Sequence, residues 1–145
     1  MVKLTKREVF KLNKGLKIHR LINDIADGFN LSYQDGIAKT STDINSRPFK
    51  KIKPITVELK RKRGNPYPSK PLYAEGKMKN TYVKKEASRT RRIAEISINA
   101  RERGNVSIKH NEGIGVDKRE WFGIGKVQKN KAQRVAQLHI KKALR

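Results

Sequence analysis

The sequence predicts an α+β fold: an N-terminal helix or helix pair, a short second helix, an antiparallel sheet of three or more strands, and a closing C-terminal helix. Three observations carry this reading. Apolar residues recur at spacings of three and four near both ends of the chain. They alternate between about residues 81 and 111. The two patterns fall in blocks rather than taking turns, which separates α+β from α/β chains.

In chain order, Thr5-Lys6-Arg7-Glu8 reads as a capping box, its hydroxyl and carboxylate suited to the free amides of a helix start. Val9, Leu12, Leu16, Ile18, Leu21, Ile22, Ile25 and Phe29 then give an amphipathic helix over about 6–28. The stripe changes phase at Asn13-Lys14-Gly15, which predicts a bend or two short helices. Residues 30–53 are polar, with Gly36 and Pro48 as breakers, and read as an extended connection. A second helix is expected from Pro54, suited to the first helical position, to a stop at Gly64. Its narrow apolar face is Ile55 and Leu59, and its last turn is Lys60-Arg61-Lys62-Arg63.

Pro66, Pro68 and Pro71 make the next stretch stiff and extended, a linker or an arm. Leu72–Tyr82 is compatible with a closing helical turn. Strands are expected over Thr81–Glu86 and Arg91–Ala100. In the latter, Ala94, Ile96, Ile98 and Ala100 share one face. A hairpin turn at Arg101–Asn105 leads to a third strand, with Val106, Ile108 and His110 on one side and Ser107, Lys109 and Asn111 on the other. A loop shaped by glycines 113, 115, 123 and 125 follows, carrying the only tryptophan, Trp121, beside Phe122. From Lys126 to Arg145, Ala132, Val135, Ala136, Ile140, Ala143 and Leu144 mark one side of a helix whose other side is Lys and Arg. The whole reads as one domain: an N-terminal helical segment (1–29), a connection holding the short basic helix at about 54–63 (30–71), and a sheet plus C-terminal helix (72–145).

The formal net charge of +23 on 145 residues opposes compaction and calls for a partner that offsets it. Nucleic acid comes first, because each neutralised phosphate releases counterions, and acidic protein surfaces come second. Cysteine is absent, so neither disulfides nor thiolate zinc sites can form. No apolar run approaches the roughly 18 residues of a membrane span, and the basic N-terminus lacks the apolar core of a secretory signal. The expected setting is a reducing cytosol or a particle assembled there, with no membrane contact.

The sequence offers little chemistry. His19, His110 and His139 are far apart. His110 with Glu112 has the spacing of a ligand or acid/base pair on a strand, but a structural histidine at a strand end is the commoner case. Glu112, Asp117 and Lys118 form a weak nuclease-like triple of the kind expected by chance in so charged a chain. Gly123-Ile124-Gly125-Lys126 lacks the spacing and hydroxyl of a phosphate loop. The four Tyr and four Phe make no stacking platform on alternate strand positions. No enzyme, cofactor or metal is therefore expected, and any DNA contact should be to phosphates rather than bases.

Four stretches taken in order resemble the phage virion morphogenesis family, the tail-completion or neck proteins of long-tailed, Mu-like phages. Phe49-Lys50-Lys51-Ile52-Lys53-Pro54-Ile55-Thr56-Val57-Glu58-Leu59-Lys60 resembles that family's aromatic, Leu, Pro, Thr, Lys pattern. Pro71-Leu72-Tyr73-Ala74-Glu75-Gly76-Lys77-Met78-Lys79-Asn80-Thr81 is similar to its Pro-Leu, Thr-Gly, Leu and Ser motif, with Glu75, Met78 and Thr81 substituted. His110-Asn111-Glu112-Gly113 resembles its His-Gln-any-Gly, and Arg119-Glu120-Trp121-Phe122-Gly123 its Arg, aromatic, apolar, Gly element. The resemblance covers roughly 45–145 and implies a non-enzymatic virion component of the tail or neck, assembled in the host cytoplasm as a homo-oligomeric ring. Its implied partners are other neck and tail proteins and packaged double-stranded DNA. In that frame His110, Gly113, Arg119, Trp121, Phe122 and Gly123 anchor a loop or a subunit interface, Arg119 by bridging to a carboxylate. Lys60, Arg61, Lys62 and Arg63 are the expected contact to DNA or an acidic partner. The alternative is a sequence-independent nucleic-acid-binding protein of architectural or ribosomal type.

Overall fold

The computed structural model describes residues 5–73, 82–98 and 105–145. Helix α1 (Lys6–Gly15) leads into α2 (Ile18–Asp35), and a π-helical turn, Gly36–Thr40, prolongs α2. Helix α3 (Pro54–Lys62) follows, then strands β1 (Tyr82–Lys85) and β2 (Glu95–Ile98), α4 (Asn105–Glu112) and α5 (Lys126–Leu144). Helix α5 packs along α2, and α1 lies against α5.

The expected sheet of three or more strands is not found among the described residues. The sheet has two strands, β1 and β2, antiparallel, with Tyr82 opposite Ile98 and Lys85 opposite Glu95. The stretch read as the third strand, Val106–Asn111, is helix α4. Six residues of alternating pattern also fit within a two-turn helix, and tertiary hydrogen bonds choose between them. The Ser107 and His110 carbonyls and the Asn111 side chain all meet the returning loop from a helical backbone. Gly113, at φ +81, then stops the helix in the left-handed region, and its amide and that of Ile114 close on the Lys109 carbonyl.

The chain from 30 to 53 is likewise not a plain extended connection. Helix α2 continues to Asp35 because Phe29, Tyr33 and Ile37 carry the buried stripe onward at spacings of four. Ser41, at φ 54, ends the π turn. The next loop is organised by Asp43, whose carboxylate accepts from the Asn45 and Arg47 amides (both 2.8 Å) and the Arg47 guanidinium (2.8 Å). The N-terminal break falls at Leu16-Lys17, giving two helices.

The hairpin docks on α2 through Asn23, whose side chain donates to the Ala87 carbonyl (3.0 Å) and accepts from the Ala87 amide (2.7 Å), as a paired backbone would. Ile96 and Ile98 turn inward from β2 while Glu95 and Ser97 face water. The Pro-rich stretch is fastened rather than free. Lys60 donates to the carbonyls of Lys70 (2.6 Å) and Tyr73 (2.9 Å), and the Lys70 ammonium reaches the Ala38 carbonyl. The hairpin turn expected before Asn105, most of the helical turn expected within Leu72–Tyr82, and the Glu8 half of the capping box lie outside the described residues and side chains.

Among the described residues, six from four parts of the chain form the main core cluster: Tyr33, Ile37, Ile44, Phe49, Leu72 and Trp121, with Phe29, Tyr73, Ile96, Ile98 and Phe122 packed on it. The chain passes close to itself at Ile44, where a Cβ on Gly125 would stand 2.4 Å from the Ile44 carbonyl oxygen. Because the obstacle is backbone, Gly125→Ala is expected to cost about 1–3 kcal/mol of stability. The measurement is the urea midpoint; an unchanged midpoint would mean that this crossing is loose.

Candidate functional site

The loop from Gly113 to Gly125 is built around Trp121, which is 2% exposed. Its indole N–H donates to the Ser107 carbonyl of α4 (3.3 Å), so the one polar group of the ring is satisfied inside the core. Tyr33 meets it edge-on (centroids 6.4 Å, 88°), and Phe122 lies 4.9 Å from the Tyr33 ring. The Tyr33 hydroxyl donates to the Gly123 carbonyl (2.8 Å), tying α2 to the far side of the loop. Burial raises the Tyr33 phenol, and the bond to Gly123 opposes that in part. Removing an indole of this area from water is worth on the order of 5 kcal/mol.

Arg119 is the second fixture, 5% exposed. Its amide donates to the His110 carbonyl (2.7 Å), and its guanidinium reaches the carbonyls of Asp117 (3.2 Å) and Lys50 (3.3 Å) and the His110 ring nitrogen Nδ1 (3.3 Å). A carboxylate does bridge it, that of Asp117 at 3.7 Å, but backbone oxygens make the closer contacts. Burial lowers the Arg119 guanidinium, while the Asp117 charge acts the other way. Asp117 in turn is held below the usual carboxylate range first by its hydrogen bond with Lys50 (2.7 Å). Arg119 therefore joins the loop to α4 and to the chain entering α3. Gly113 and Gly123 sit at the two ends of this arrangement, at φ +81 and +142.

His110, Gly113, Arg119, Trp121, Phe122 and Gly123 thus come together in one knot of loop and helix. Lys60, Arg61, Lys62 and Arg63 lie elsewhere and do not act as a set. Lys60 is half-buried on the Lys70 and Tyr73 carbonyls, and burial, then the Arg119 charge, lowers its ammonium. Lys62 pairs with Glu58 (3.1 Å), leaving Arg61 and Arg63 exposed. His110 and Glu112 are two apart on a helix, not a strand, and so point apart. No group of three or more metal-ligating side chains occurs among the described residues, and none of their helices is long and apolar enough to cross a membrane.

Two groups escaped the reading of the sequence. Gln128, 1% exposed, accepts from the Gly125 amide (3.1 Å) and donates to the Ser32 hydroxyl (3.0 Å), fixing the start of α5 to α2. The position of a Gln at the third residue of a helix is a capping signal that was there to be used. The cations of α5 are the other group; their side of the helix is legible, but the absence of a carboxylate oxygen within 4.0 Å of them among the described residues is not.

Two outcomes follow for this knot. Trp121→Ala is expected to lose about 3–5 kcal/mol of stability, seen as a lower denaturation midpoint. Burial, then the Arg119 charge, lowers the His110 imidazole from its usual 6.5. The folded chain then binds that proton less readily than the unfolded chain, so the His110 contribution is complete above the unfolded value and is lost as pH falls from there through the lower folded value. Urea midpoints measured downward from pH 7.5 should fall, and the fall should shrink in His110→Gln; an equal fall in the variant would assign the titration to other groups. Set against family models, curated proteins and solved structures, the chain matches none of them.

Proposed function

We propose that the chain is a structural virion protein of a tailed phage, acting in tail completion or head-tail joining as one subunit of a ring at the neck. The observation that carries this is where the resembling motifs meet. Phe49 from the first, Leu72 from the second and Trp121 from the fourth belong to one core cluster. His110 from the third touches Arg119 from the fourth. Motifs spread over some seventy positions are thus one interlocked unit, which is what a family pattern needs if it describes a fold rather than chance matches.

The surface suits such a subunit. Among the described residues eight apolar side chains are buried, whereas thirteen large ones are exposed, Ile55, Ile93, Ile124 and Leu138 each above half. A ring subunit can leave apolar groups outside because its neighbours cover them. In this reading the knot around Trp121 has no catalytic part. It presents Ile124, with Phe122 packed behind it on the core, and it shapes the face that meets a neighbouring copy or another neck or tail protein.

The charge of +23 favours a second reading, a sequence-independent nucleic-acid-binding protein of architectural type. Mass in solution separates the two. The ring reading expects a defined oligomer whose mass grows with protein concentration to a plateau and survives added salt. A monomer at every concentration and salt, binding any duplex tightly at low salt, would contradict the ring and leave the second reading.

A further inference from the structure

The chain has 13 carboxylate residues against 36 Lys and Arg, and the fold distributes the few acids unevenly. Between Lys126 and Arg145 there are seven cations and no Asp or Glu, and all seven are exposed. Among the described side chains, the acids of α2 and of the 43–47 turn are already occupied. Asp24 is held by His139 (2.7 Å), Asp27 by Lys84 (2.5 Å), Asp35 by Lys39 (2.9 Å) and Asp43 by Arg47 (2.8 Å). No cation from Lys126 to Arg145 has a carboxylate oxygen within 4.0 Å among the described residues.

These cations are also ordered in space. At 3.6 residues per turn, Lys131, Arg134, Lys141, Lys142 and Arg145 fall within an arc of about 100°, and from first to last they span about 21 Å of helix. Gln128, Ala132, Val135, Ala136, His139 and Ala143 fill the adjoining arc and are the less exposed side. The helix is held firmly beneath the stripe. The Lys131 stem lies over Gly28, where a Cβ would meet Lys131 Cγ at 2.9 Å, and Lys11 donates to the Leu144 carbonyl at the far end (3.1 Å). Like charges three and four apart on one face repel each other, so this face gains from a polyanion whose charges are spaced along a line.

We propose that the outer face of α5 binds the phosphates of duplex DNA, without reading its sequence. The choice of duplex DNA as the polyanion rests on the virion reading above; the surface itself is defined by the unpaired cations. Duplex DNA carries one charge per about 1.7 Å of axis with both strands counted, so the roughly 21 Å beside the stripe holds about a dozen phosphates over its two strands, enough to engage five side chains. This moves the contact from the end of α3, where Lys60 is bound to carbonyls and Lys62 to Glu58, to α5.

The test uses the full chain and random-sequence duplex, with binding followed by anisotropy over a range of salt. Replacing three stripe residues together (Arg134→Gln, Lys141→Gln, Arg145→Gln) is expected to reduce the slope of log K against log salt by about 2.7, three times 0.9 per phosphate. The matching triple on α3 (Arg61→Gln, Lys62→Gln, Arg63→Gln) is expected to change the slope by less than half as much. Far-UV circular dichroism of both triples shows whether their helices persist, and Lys131→Gln with Arg134→Gln replaces the first triple if its helix is lost. The assignment is overturned by an unchanged slope, by an equal fall in the α3 triple, by no binding of the parent chain at low salt, or by tighter binding of poly-glutamate than of duplex. Oligomer mass read on the same samples keeps the two proposals apart. A reduced slope with no oligomer counts against the virion reading alone, and an intact oligomer with an unchanged slope counts against the α5 surface alone.

Discussion

Ile44 gives both of its backbone groups to distant parts of the chain, and the rest of the structure depends on that. Its amide donates to the Glu120 carbonyl in the tryptophan loop (3.0 Å), and its carbonyl accepts from the Val127 amide in the first turn of α5 (3.0 Å). Its neighbour Asn45 takes the Lys126 amide (3.2 Å). The open amides of Lys126 and Val127 are thereby filled by another loop, while Gln128 caps that of Gly125 locally. With α5 fixed in this way, α1 and α2 have a partner to pack on, and with the loop fixed, Trp121 has a core to enter. Asp43 supports this crossing by closing the 43–47 turn on its own carboxylate.

Polar groups do much of the joining because so few apolar ones are available. Asn23 on Ala87, Gln128 on Ser32, Arg119 on three backbone or ring acceptors and Lys60 on two carbonyls each tie one element to another. Such bonds are directional, and each is worth roughly 1 kcal/mol net, more when the donor is charged. They specify how the elements sit more than they add to stability. The acids of α2 are likewise engaged, Asp24 with His139 of α5, Asp27 with Lys84 and Asp35 with Lys39, and among the described residues no carboxylate pairs with a Lys or Arg of α5.

What the sequence told and what it withheld divide along physical lines. The limits of α3 are written in Pro54 and Gly64, because fixed φ at one end and free φ at the other are properties of single residues. The stripe of α5 and the burial of the only tryptophan were legible for a similar reason: periodicity and side-chain area are local facts. Helix α4 was not, because Val106–Asn111 fits both periods and the choice was made by bonds from Arg119, Trp121 and Phe122. The run from Leu31 to Thr40 was hidden by its Ser, Gln and Asp, although Phe29, Tyr33 and Ile37 kept the stripe going. Lys60 looked like its neighbours in the basic run until the carbonyls of Lys70 and Tyr73 came beside it. That the α5 Lys and Arg residues have no carboxylate partner among the described residues could not be read at all, since it depends on where the acids go in space.

The measurement that tests the Ile44 crossing most directly is amide hydrogen exchange under native conditions. Exchange ranks amides by the free energy of opening them. If the crossing holds the structure together, the Ile44, Val127 and Phe122 amides should exchange only by global unfolding, as slowly as the slowest amides of α2 and α5. Exchange of these three faster by orders of magnitude than the helix amides would contradict the account, because α1, α2 and α5 would then stand as a bundle on which the tryptophan loop is merely laid.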